Sequence, residues 1–314
     1  MRITTLCGGV GAARMLRALL TEFPDAEHVA IVNTADDDVI GGLSISPDID
    51  TVMYTLAGAN DDERGWGLAG ESWQAMEWLR RYTNSSGRHD LSWFNLGDRD
   101  LGTHLYRTSR LAEGAPLSEV TAEMVAAWGL PLLLLPVTDD PIATVLRTDR
   151  GDLAFQEYFV REQHAVEVTG VRVEGADSAD PAPGVLNAIE TADVVVVAPS
   201  NPIVSIGPLL AVPGIRSAVA ARRSAVVAVS PIIGGKALKG PADRLLSELG
   251  HETSAVGVAS IYADLAGTLV IDEIDTPLIH QVEALGLRCV ATPTIMSQPG
   301  VSASLARAVI EAAL

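Results

Sequence analysis

Residues 193–198 read Asp-Val-Val-Val-Val-Ala, and few folds accept such a run. Four consecutive valines leave no polar face, so a strand built from them must be covered on both sides. Apolar runs at 2–6, 29–33, 132–136, 225–229, 268–271 and 288–291 ask for the same burial. Between them, helical periodicity is read at 12–21, 51–58, 72–82, 117–128, 184–191, 240–249, 277–285 and 301–313. Strands that alternate with helices predict an α/β fold: a Rossmann-like parallel sheet flanked by helices, joined by right-handed crossovers. The chain of 314 residues is expected to be a single α/β domain. Residues from about 60 to 180 lose the rhythm and are expected to form an inserted helical and β-rich subdomain. Within it, 143–148 and 153–159 alternate like a hairpin around Asp149–Asp152, and the polar stretch 160–184 reads as the end of the β-rich part and its return link.

Net charge is −18, and only two of the 22 basic side chains are lysines, Lys236 and Lys239. Such a surface repels nucleic acid and anionic membranes, so neither is expected as a partner. Cys7 and Cys289 give no disulfide framework. No charged segment followed by an apolar one opens the chain, and the apolar run at 130–137 is too short to span a bilayer. A cytoplasmic protein is expected. An anionic substrate would then need local rescue by metal, arginine or backbone amides.

The loops that follow strands carry the chemistry. Gly8-Gly9-Val10-Gly11 follows the first strand and opens a helix. Glycines let a backbone approach an anion, and a helix N-terminus offers free N–H groups. Arg14 stands where a dinucleotide fingerprint would have its third glycine, which argues against a nicotinamide dehydrogenase. After the second strand, Asn33-Thr34-Ala35-Asp36-Asp37-Asp38 and Ser46-Pro47-Asp48-Ile49-Asp50-Thr51 bring five carboxylates into fifteen positions. Crowded carboxylates repel and raise one another's pKa. A hard divalent cation neutralises them, although an acidic loop in water with Asp36 or Asp48 as a helix cap is the plainer reading. Asp48 and Asp50 share a face only if that segment is extended; a helix splays them. Residues 64–70, Arg-Gly-Trp-Gly-Leu-Ala-Gly, read as a mobile flap. Two prolines stiffen Pro199-Ser200-Asn201-Pro202 at the end of the valine strand, and Gly234-Gly235-Lys236 follows the next strand. In a parallel sheet these ends share one rim, where ligands bind.

These blocks occur in order with Leu96-Gly97-Asp98-Arg99-Asp100, Thr103-His104, Pro199–Pro208 and Val229–Gly234. Together they make the whole chain resemble the 2-phospho-L-lactate transferase family of coenzyme F420 biosynthesis, which includes bacterial enzymes that transfer phosphoenolpyruvate. The Pro-Ser-Asn-Pro and Gly-Asp-Arg-Asp blocks carry most of that resemblance. Residues 10–14, Val-Gly-Ala-Ala-Arg, depart from the archaeal Thr-Gly-Thr-Pro-Lys and lean toward a bacterial type. The resemblance implies a guanosine diphosphate-linked lactate, enolpyruvate or glycerate donor and the deazaflavin Fo as acceptor. GMP leaves, Mg²⁺ is the expected metal, and a homodimer is expected.

On this reading Asp36, Asp48 and Asp50 are the candidates for holding metal and orienting the attacking hydroxyl, with Asp50, Asp36 and Arg99 as catalytic candidates. Asn33, Thr34, Asp37, Asp48 and Asp98 are candidates for substrate contact. Gly8, Gly9 and Gly11 are expected near the diphosphate, and Ser200, Asn201, Ser205 and Gly234 near the donor. Arg99 is read either as an ion pair or as a clamp on phosphate or carboxylate. His104 is read either as a substrate contact or as a helix histidine satisfied by a carbonyl. Trp66 either covers the deazaflavin or simply packs. The alternative function is a non-catalytic nucleotide-sugar-binding regulator from the same superfamily.

Overall fold

A computed structural model describes residues 1–89 and 91–314. Its central sheet has seven strands: β1 (Arg2–Cys7), β2 (Glu27–Val32), β3 (Leu133–Pro136), β4 (Val194–Val197), β5 (Val226–Val229), β6 (Thr268–Ile271) and β7 (Arg288–Ala291). They lie in the order β3-β2-β1-β4-β5-β6-β7, and each neighbouring pair is parallel. The expected Rossmann-like α/β class is what the chain adopts.

The valine run explains why. Val195 and Val197 enter the core on one face of the sheet, and Val194 and Val196 the core on the other. Val226 and Ala228 against Val227 and Val229 repeat the pattern in β5. Each fully buried valine contributes about 1.5–3 kcal/mol on leaving water. Helix α1 (Val10–Glu22) turns Ala12, Ala13, Met15, Leu16 and Leu19 inward, against α2 (Pro47–Leu56) and the closing helix Val301–Ala313.

Strand order reverses between β1 and β4. The chain winds outward through β2 and β3, then returns to β4 on the other side of β1. Crevices form at the carboxyl ends of strands where such a reversal occurs. Here those ends are Gly8 and Pro199.

The excursion expected as one insert is two. β3 interrupts it and pairs with β2 at the sheet edge. Before β3 come α3 (Gln74–Ser86), α4 (Asp98–Ala112) and α5 (Leu117–Ala127). After it comes an antiparallel sheet with Ala143–Thr148 between Gly151–Ala154 and Val168–Glu174. The third of these strands lies within 160–184, the stretch read as the end of the β-rich part and its return link. The hairpin's return strand ends at Ala154 rather than running to 159. Phe155 and Phe159 are four residues apart, which suits a helical turn, and Glu157–Arg161 forms one. Their rings stack at 5.5 Å. Among the described residues no single helix is long and apolar enough to cross a membrane.

Candidate active site

A cleft of about 800 Å³ opens at the crevice between β1 and β4. Gly9, Gly11, Asp36, Asp48, Asp50, Trp66, His104, Ser200, Asn201 and Ser205 from the sequence reading all line it. The glycine turn is pressed between two walls. A β-carbon at Gly11 would stand 2.1 Å from Pro199 O, and one at Gly9 would stand 2.8 Å from Asp48 Oδ1. Gly8 does not line the cleft; its N–H donates to Ser200 Oγ at 3.3 Å and it packs on Ser205. Ala13 N–H closes the first turn of α1 on Gly9 O, so the amides before it have no intrahelical partner. Asn201 accepts from Ile203 N and Val204 N through Oδ1, which fixes the Ser-Asn-Pro loop.

The acidic cluster divides by role. Asn33 is fully buried; its Oδ1 accepts from Ala35 N at 3.0 Å and its Nδ2 donates to Asp48 Oδ2 at 3.1 Å. It therefore aims Asp48 and does not line the cleft. Thr34, also buried, sits in the same turn, and Asp37 accepts from Ser46 Oγ at 2.7 Å; neither lines the cleft. Asp36 is buried, and its Oδ1 has no hydrogen-bond partner. Burial first, then the Asp48 carboxylate, push Asp36 well above the usual range. Burial likewise raises Asp48 to about 6, against the opposing Asn33 hydrogen bond. Burial also raises Asp37.

Asp50 departs from the expected trio. Residues 47–56 are helical, so Asp48 and Asp50 are splayed as helical spacing dictates. Asp48 turns to Asn33 and the glycine turn. Asp50 turns to Arg107, which is 1% exposed and grips both carboxylate oxygens, Nη1 to Oδ2 at 3.1 Å. Arg107 Nη1 also lies 3.3 Å from His104 Nδ1. His104 Nε2 faces Asp100 Oδ1 at 3.4 Å. Tyr54 Oη lies 2.7 Å from both Asp100 Oδ1 and Thr103 Oγ1. Burial pulls Asp100 upward, but the hydrogen bond and charge of His104, aided by Tyr54 and Arg107, hold it below its ordinary value. The neighbours of His104 are thus an arginine and a carboxylate, not a carbonyl, and its Nε2 makes no hydrogen bond. Sequence reasoning missed Arg107 and Tyr54. The signal was a polar stripe at helical spacing, Asp100, Thr103, His104 and Arg107.

Asp98 and Arg99 stand away from the cleft. Asp98 accepts from Ser72 Oγ and from the amides of Gln74 and Ala75, capping α3. The Ser72 and Ala75 bonds hold its carboxyl below the usual range. Arg99 donates to Ala69 O from its side chain at 2.7 Å, and to Glu71 from its backbone. Among the described residues its guanidinium forms no ion pair. Gly234 is also elsewhere. Gly234 and Gly235 both have positive φ and close the hairpin of Ile232–Ile233 with Lys236–Ala237, as a two-residue turn of that kind requires. The Gly234 N–H is taken by Asp275 at 3.0 Å.

Part of the cleft wall is aromatic: Trp66, Trp93, Phe94, Phe155 and Phe159. Trp66 is 42% exposed, lies edge-on to Trp73 and carries the Arg64 guanidinium 4.9 Å from its ring centroid. The 64–70 segment forms no helix or strand of its own apart from a bridge between Asn60 and Leu68. Among the described residues no three His, Cys, Asp or Glu side chains converge as metal ligands.

The family model for 2-phospho-L-lactate transferase CofD matches residues 3–300. A phosphoenolpyruvate transferase from Streptomyces griseus is 45% identical, covering 100% of this chain and 98% of its own. One from Nocardia farcinica is 45% identical over 99% of this chain and 95% of its own. One from Mycolicibacterium smegmatis is 41% identical over 100% and 99%. A crystal structure of a UPF0052-family protein from Bacillus halodurans superposes with a TM-score of 0.65 at 18% identity, covering 98% of this chain and 99% of that one; it shares the fold. The match runs through the glycine turn, the acidic block and the Ser-Asn-Pro loop that meet at one cleft, and the chain belongs to the 2-phospho-L-lactate transferase family, as a transferase.

Proposed function

We propose that this transferase moves an enolpyruvyl-phosphate or phospholactyl group from a guanosine diphosphate-linked donor to Fo, in coenzyme F420 biosynthesis. A hydroxyl oxygen of Fo attacks the phosphorus nearer the three-carbon acid. The bond from that phosphorus to the GMP oxygen breaks, GMP leaves with the electron pair, and the hydroxyl proton is lost. The names of relatives at 41–45% identity support the enolpyruvyl donor.

One observation carries this reading: a single cleft joins bare helix-terminal amides, two mutually repelling carboxylates and an aromatic wall. The amides at Gly9–Gly11 suit a diphosphate. The aromatic wall suits a flat ring system, with Trp66 over it. Asp36 and Asp48 fit Mg²⁺, which takes one or two carboxylates and completes its octahedron with water and substrate phosphate; the unpartnered Asp36 Oδ1 is such a ligand atom. When bound, that ion supplies charge neutralisation between two anionic reactants. Asp50, fixed by Arg107, supports the floor of the site. On this reading Asp48 accepts the hydrogen bond of the attacking hydroxyl. Positioning of this kind does most of the work in phosphoryl transfer.

The test is turnover. Purified protein with Fo and the enolpyruvyl donor, in Mg²⁺, is expected to give dehydro-F420-0 and GMP by mass spectrometry. Full turnover in excess chelator removes the metal role. Tight nucleotide binding with no turnover of any of the three donors points instead to a nucleotide-binding regulator.

A further inference from the structure

Beside the cleft, between α1 and the 64–70 segment, lies a recess of about 20 Å³. It has room for one water-sized group, such as a carboxylate oxygen. Arg14, Arg17 and Lys239 line it, with Asp62 the one carboxylate. Asp62 already accepts from Asn60 Nδ2 at 2.9 Å. Arg14 and Lys239 also line the cleft itself, with Tyr54, Trp66 and the glycine turn, so the recess opens into it.

The charges are unusual for this molecule. The chain is at −18, and most of its arginines are taken up by carboxylates or carbonyls: Arg2 by Glu27, Arg107 by Asp50, Arg110 by three glutamates, Arg172 by Asp152 and Glu174. Among the described residues the side chains of Arg14, Arg17 and Lys239 have no hydrogen bond or ion pair with the protein. Three unpaired cations beside one occupied carboxylate leave local positive charge in an acidic chain. Arg14 is half-buried on the second turn of α1, past the amides suited to a diphosphate. Lys239, one of two lysines in the sequence, reaches across the cleft; a β-carbon at Gly65 would stand 3.2 Å from its Nζ.

We propose that Arg14 and Lys239 form a carboxylate site that reads the three-carbon acid of the donor. The inference rests on the transferase reading above and deepens it. The diphosphate has the glycine-turn amides and the metal. The acid's carboxylate is the donor's remaining anion, and it needs cations beyond the repelling Asp36–Asp48 pair. Lys239 lies against Gly65, so the same contact joins the bound carboxylate to the 64–70 segment that carries Trp66.

The experiment compares two ligands by calorimetry on the full chain: GDP, which lacks the acid, and the enolpyruvyl donor, which has it. Wild type is expected to bind the donor more tightly than GDP. Arg14→Gln and Lys239→Gln are each expected to weaken donor binding about 10- to 100-fold, the scale of one hydrogen bond between charged groups, while GDP binding holds within about twofold. Arg14→Lys is expected to recover most of the loss. Equal losses for GDP and donor would mean the two cations hold phosphate, and the proposal falls. No loss for either ligand overturns it as well. If wild type binds neither ligand, the transferase reading has failed, and the result is distinct from a failure of the carboxylate site alone.

Discussion

Replacing Asp48 with asparagine separates function from stability. Burial holds the Asp48 carboxyl at about 6, above its ordinary value of 3.8. A group whose folded pKa is raised binds more protons folded than unfolded between those two values. Stability therefore falls as pH rises from about 4 to about 6, and the penalty stays at its full size above that. A shift of about two units is worth about 3 kcal/mol. That figure is an upper bound, because Asp48 lines the cleft and is only partly buried. Asparagine keeps an oxygen to accept the Asn33 hydrogen bond and carries no charge, and the neighbouring Asp36 is relieved too. At pH 7.5, Asp48→Asn should melt up to about 4 °C higher than wild type, taking an unfolding entropy of about 2.1 cal/mol/K per residue over the chain. At pH 4 the two should nearly coincide. Adding Mg²⁺ should stabilise wild type by up to about 2.7 kcal/mol at a hundredfold excess over Kd, and leave the variant unmoved. Activity should be lost throughout. Scanning calorimetry at the two pH values, with and without Mg²⁺, reads all of this. A variant no more stable than wild type at pH 7.5 would refute the claim that burying the Asp48 carboxylate costs stability.

Arg107→Met should destabilise by about 3–5 kcal/mol in urea titrations, since it leaves Asp50 charged and buried. Adding Asp50→Leu should recover at least half of that, and no recovery would mean the pair is not the coupled unit its geometry indicates. Gly11→Ala should cost about 1–3 kcal/mol and most of the turnover, because the new methyl must displace Pro199 O; unchanged melting and kinetics would show that the turn does not press on that loop. Trp66→Ala should raise the KM for Fo about 3- to 10-fold and leave that for the donor unchanged, and equal changes in both would take Trp66 off the ring-binding wall.

The sequence by itself determined the sheet and the place of the cleft. Four valines in a row can be buried only by cover on both faces, and glycine or proline must follow strands that end at a crevice, so Gly8–Gly11, Asp36, Asp48 and Ser200–Ser205 were legible as neighbours. It did not determine which carboxylates face the ligand. Asp48 and Asp50 look equivalent in a string of letters. Only the helical twist of residues 47–56 sends one to the glycine turn and the other to Arg107, fifty-seven residues away. The block at 97–104 divides in the same way: Asp98 turns outward to cap a helix and Arg99 to brace the 64–70 segment, while Asp100 and His104 turn inward. Arg14 and Lys239 share a recess only because the chain folds its second half back across the first. Side-chain direction and long-range contact are set by helical phase and by packing between distant segments, and neither is written in local composition.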